Sequence, residues 1–100
     1  MNSIIQQFLP QIKNLMLQYG VKNAYAFGSA VKDTMTDDSD VDFIISFLPD
    51  MDYETYGNNY FNLLFSLQEL LHRDVDLVTE KTIKNPYFLQ SVNDHKLQVL

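Results

Sequence analysis

From position 40 to 47 the chain alternates two chemistries: Val41, Phe43, Ile45 and Phe47 are interleaved with Asp40, Asp42, Ile44 and Ser46. Period-2 alternation is the mark of a β-strand with one face in a core, so the chain must build a sheet covered on one side. The same alternation puts two carboxylates on the strand's other face, their stems about 6 to 7 Å apart given a rise of about 3.3 Å per residue. With no cysteine among 100 residues, no disulfide or thiolate metal site can brace that sheet, and packing alone must hold it. A hydrophobic content of 46% with 13% aromatic residues suffices for one core, so residues 1–100 are expected to form a single domain.

The rest of the chain supplies the covering elements. Ile5, Phe8, Leu9, Ile12, Leu15, Met16 and Tyr19 follow helical spacing, with Ser3 and Gln6 as a capping box and Gly20 as the stop. Pro10 falls inside that pattern, where a helix either kinks or begins. Val21 to Phe27 reads as a strand running into the tight turn Gly28-Ser29, with a short helix after it. After a polar connection from Pro49 to Gly57, Tyr60, Leu63, Leu64, Leu67, Leu70 and Leu71 form the stripe of a second long helix. Phe61 and Phe65 lie beside the stripe and suggest a partner surface. Val75 to Val78 alternates as a third short strand, and the remainder from Ile83 reads as a helical turn or two after Pro86 followed by a weak tail. The expected fold is α/β of the α+β kind: a small mixed sheet with helices mainly on one face.

Thirteen acidic residues against seven basic ones give a net charge of -6, which repels phosphate backbones and argues against direct nucleic-acid binding. The first residues lack the basic start and apolar run of a signal peptide, and no stretch approaches the roughly 18 apolar residues of a membrane span. A cytoplasmic protein without membrane contact is expected.

The chemistry concentrates in Gly28-Ser29, a ten-residue spacer, Asp40-Val41-Asp42, and acids at the third strand. Asp40 and Asp42 share a face, and a neighbouring strand bringing Asp76 to it would complete a three-carboxylate cup for a hard cation such as magnesium. By alternation alone, Asp74 competes with Asp76. Gly28 permits a sharp turn, after which the amides from Ser29 to Val31 and the Ser29 hydroxyl would face a triphosphate. An EF-hand calcium loop is excluded, because counting from Asp38 places Phe43 at the glycine position and Pro49 at the glutamate position. His72 and His95 lie far apart in sequence and read as helix-flanking residues, and no serine has the partners of a hydrolytic triad.

Taken together, Phe27-Gly28-Ser29, the spacer, Ser39-Asp40-Val41-Asp42-Phe43 and Val75-Asp76-Leu77-Val78-Thr79 resemble the minimal nucleotidyltransferases of the DNA polymerase beta superfamily, over nearly the whole chain. The resemblance implies that Asp40 and Asp42 bind two magnesium ions and that Asp76 is the third carboxylate, assisting the attacking hydroxyl. It implies that Gly28 and Ser29 hold the phosphates of ATP. Many relatives carry a basic residue after the Gly-Ser pair and a basic-glycine pair soon after, where this chain has Ala30 and Lys32-Asp33, and Lys32 stands as a partial substitute. The short members of the family imply an antitoxin that adenylylates a tyrosine of a HEPN-domain toxin. Two alternatives remain: a weakly active or inactive module that masks its partner by contact, and a homodimeric enzyme acting on a small hydroxylated molecule.

Overall fold

A computed structural model describes residues 3–27, 40–82 and 97–100. Helix α1 spans Ser3–Gln18, strand β1 Val21–Phe27, strand β2 Val41–Phe47, helix α2 Tyr53–Leu71, strand β3 Val75–Thr79 and strand β4 Leu97–Gln98, with a 3-10 turn at Glu80–Thr82. The strands form one mixed sheet in the order β3-β2-β1-β4. β1 runs antiparallel to both β2 and β4, while β2 and β3 are parallel.

Both helices pack on one face of this sheet. Ile5, Ile12 and Met16 of α1 and Leu63 and Leu67 of α2 are fully buried against Ala24, Ala26, Val41, Phe43 and Ile45. Burying each such large side chain contributes about 1.5 to 3 kcal/mol, so this single layer of contacts is the main source of stability. That burial offsets Pro10, which lies inside α1 with its ring exposed. A proline in a helix interior costs about 3 kcal/mol. The helix therefore runs through Pro10 and does not begin there. The Ser3 side chain, expected in a capping box, lies outside what is described.

At the end of α1, Gly20 adopts φ +81, where a side chain would be strained, and a Cβ there would come within 2.5 Å of the Met51 methyl. Asn59 of α2 donates to the Tyr19 carbonyl at 2.9 Å, tying this helix end to the second helix. α2 starts earlier than the apolar stripe suggests: the Asp52 carboxylate accepts from the Thr55 amide at 2.7 Å and caps a helix that takes in the stretch to Gly57. That hydrogen bond holds the Asp52 carboxyl below the usual carboxylate range. His72 closes α2 in the left-handed region, its amide donating to the Gln68 carbonyl, in the helix-flanking role expected of it.

The chain end departs from expectation. Leu97 and Gln98 pair with Ala26 and Tyr25 as β4, the Val99 amide donates to the Ala24 carbonyl at 2.9 Å, and Val99 is buried. A two-residue strand is too short to show periodicity, and its partner on β1 lies some seventy residues upstream, so the expected weak tail is instead an edge of the sheet. The helical turns expected after Pro86, the short helix after Ser29, and His95 fall outside the described residues. Among the described residues, no helix is long and apolar enough to cross a membrane.

Candidate active site

The face of the sheet opposite the helices carries the other half of each strand's alternation. In the parallel ladder Val41 lies opposite Val75, Asp42 opposite Asp76 and Phe43 opposite Leu77. Residues paired in register on adjacent strands share a face, so the fold places the Asp42 and Asp76 carboxylates side by side on the face away from the helices. Asp74 precedes β3, and its carbonyl accepts from the Val41 amide at 3.0 Å. The topology thus brings Asp76 to Asp42, a choice that alternation alone left open.

Across the antiparallel pair, Asp42 is also opposite Phe27, the last residue of β1. The chain passes from Phe27 directly to Gly28 and Ser29. Gly28, Ser29 and Lys32, the residues expected to hold phosphates, lie outside the described residues. Asp40 stands one residue before β2, with its side chain exposed.

The electrostatics of the group centre on Asp42. Burial, then the charge of Asp76, then that of Asp40 push its carboxyl up to about 6 from an ordinary 3.8. Like charges brought together on a partly desolvated surface disfavour ionisation, and a nearby cation would reverse that effect. Carboxylates are the donor set that hard divalent cations take. The chemistry of Asp40, Asp42 and Asp76 therefore fits such an ion. Among the described residues, no three His, Cys, Asp or Glu side chains are grouped as a formed metal site. Asp40 lies just before β2, and the Asp40 and Asp76 side chains are exposed while Asp42 is half-buried.

Behind this pair, α2 meets β3. The Tyr60 hydroxyl donates to the Leu77 carbonyl, and the Phe61 ring meets the Tyr60 ring edge-on with centroids 5.3 Å apart. Burial and the nearby Asp76 charge, with Tyr56 behind them, raise the Tyr60 phenol and keep it a donor. In the sequence Tyr60 reads as part of an apolar stripe and of an aromatic group suited to core or protein contact. No local signal distinguishes it, because its contact depends on which strand α2 lies across.

The described residues thus form a mixed sheet with α1 and α2 on one face and an in-register pair of aspartates on the other. The chain belongs to the nucleotidyltransferase domain family, which matches residues 7–99, and it is a nucleotidyltransferase. It is 32% identical over 98 residues to a protein of Methanocaldococcus jannaschii provisionally named a protein adenylyltransferase, covering 97% of this chain and 96% of that one. Its fold is shared with a provisionally named minimal nucleotidyltransferase, at TM-score 0.76 and 21% identity, over 97% of this chain and 95% of the other. It is shared too with a chain from the complex of tri-AMPylated Shewanella oneidensis HEPN toxin with MNT antitoxin, at TM-score 0.66 and 22% identity, over 95% of this chain and 71% of that one.

Proposed function

We propose that the chain transfers AMP from ATP to a hydroxyl in a magnesium-dependent reaction, and that the acceptor is a tyrosine of a HEPN-domain toxin for which this protein is the antitoxin. The observation that carries this reading is the register of Asp42 with Asp76 on the face away from the helices, beside the end of β1 that leads into Gly28-Ser29. The M. jannaschii relative and the AMPylated toxin complex support the adenylyl group and the partner class. A cysteine-free chain suits the cytoplasm in which such a pair would act.

In the reaction the acceptor oxygen bonds to the α-phosphorus of ATP as the bond to the β,γ-pyrophosphate breaks. The acceptor's proton passes to Asp76, and pyrophosphate leaves. Asp40, Asp42 and Asp76 would hold the metal, two ions in all, which when bound neutralises phosphate charge and stabilises the attacking and leaving oxygens. Gly28 and Ser29 would hold the triphosphate through backbone amides and the Ser29 hydroxyl. Lys32 would supply part of the positive charge that Ala30 and Asp33 do not.

The unusual residues after the Gly-Ser pair favour one second reading, a weakly active or inactive form that neutralises its partner by contact. Incubation with α-labelled ATP, magnesium and a HEPN-domain protein encoded beside this chain separates the two. Label on a tyrosine of the partner supports transfer. A stable complex with an unlabelled partner supports the contact reading, and label on a small metabolite overturns the choice of acceptor.

A further inference from the structure

We propose that Tyr60 is a positioning residue for Asp76: by holding the Leu77 carbonyl on the outer edge of β3, its hydroxyl keeps the Asp76 carboxylate opposite Asp42. The inference rests on the reading of Asp76 as the third metal-binding carboxylate.

β3 is five residues long and lies at the edge of the sheet, so among the described residues β2 alone holds it by a backbone ladder. In a parallel pair, successive residues turn their backbone groups alternately toward the partner strand and away from it. The Asp74 carbonyl is turned toward β2, where it accepts from Val41. Asp76 is therefore also turned inward and Leu77 outward. Two outward carbonyls of β3 are taken by side-chain hydroxyls, that of Leu77 by Tyr60 and that of Thr79 by Thr82 at 2.8 Å.

The two contacts differ in what they can fix. Thr82 reaches back three residues within one turn and holds the strand only to its own continuation. Tyr60 joins the strand to α2, a 19-residue helix anchored in the core by Leu63 and Leu67. It acts at the carbonyl of Leu77, the residue that follows Asp76. Among the described residues no backbone ladder holds the outer side of β3, and a carboxylate that must work with one on the next strand tolerates little shift.

The test compares Tyr60→Phe, which keeps the ring and its contact with Phe61, with Thr82→Val, which removes the other edge hydroxyl. Manganese affinity is read from the metal's paramagnetic signal, and kcat and KM from label transfer. Tyr60→Phe should lower manganese affinity and kcat about tenfold, as loss of a residue supporting a ligand typically does, with KM for ATP within about twofold. Thr82→Val should match the parent. In the Asp76→Asn background, Tyr60→Phe should cost no further manganese affinity, because a residue acting only through Asp76 has nothing left to position. Parent-like values for Tyr60→Phe, or an equal loss in both backgrounds, overturn the inference while leaving the transferase reading intact. A parent that neither binds manganese nor transfers label overturns both.

Discussion

The two faces of one sheet are made from the same strands and serve opposite ends. On the helix-covered face Val41, Phe43 and Ile45 are fully buried among apolar side chains. One residue out of phase, Asp42 stands against Asp76 with its ionisation made unfavourable. The first face is satisfied by the protein alone. The second carries the charge repulsion that raises Asp42, so the two faces act on stability with opposite signs.

This contrast can be broken most severely at Asp42 or Asp40. Asp42→Asn or Asp40→Asn should abolish label transfer, a fall of roughly a thousandfold or more, since the metal contribution is several kcal/mol of barrier. Circular dichroism should show both variants folded. Near-parental turnover in either would remove that residue from the site. On the covered face Phe43→Ala should do the reverse, costing about 3 to 5 kcal/mol of stability in denaturant melts through the cavity it leaves. A loss below 1 kcal/mol would mean that the core closes around the gap, with a rough floor set by ordinary surface changes.

A milder test sharpens the boundary between core and surface. Phe61 and Phe65 are 55% and 59% exposed and stack on one another with centroids 6.4 Å apart. Replacing both with serine should shift stability by no more than about 0.5 kcal/mol each while weakening association with a partner or a second copy in sedimentation. Unfolding of the double variant would place both rings in the core.

Much of this division was legible in the sequence because alternation and helical spacing are local. β2, the stripe of α2 and the outward position of Phe61 and Phe65 needed no knowledge of topology. Three features needed more. α2 begins at Asp52, a polar cap within a stretch that reads as a loop until its side chain is seen to accept the Thr55 amide. β4 is two residues whose pairing partner is remote in sequence. For Asp76, period 2 allowed Asp74 equally well, and only the parallel register, or resemblance to a family, separates them.

The central claim, that the acids on the face away from the helices trade stability for metal-dependent chemistry, is tested most directly by melting the parent and Asp42→Asn from pH 4 to 8, with and without magnesium. A carboxyl raised to about 6 in the folded state favours folding in its protonated form. Its contribution is fully present below the unfolded value near 3.8 and is lost as pH rises through about 6. Because Asp42 is only partly buried, solvent screening leaves an effect on the order of 1 kcal/mol. Without magnesium, Asp42→Asn should match or exceed the parent above pH 6.5, a margin set by roughly half a unit beyond the Asp42 midpoint. With magnesium the parent should gain in melting temperature and the variant much less, since a ligand that binds the folded state stabilises it according to its affinity. A parent indifferent to magnesium, or a variant several degrees less stable without it, would make Asp42 a structural residue and contradict the account.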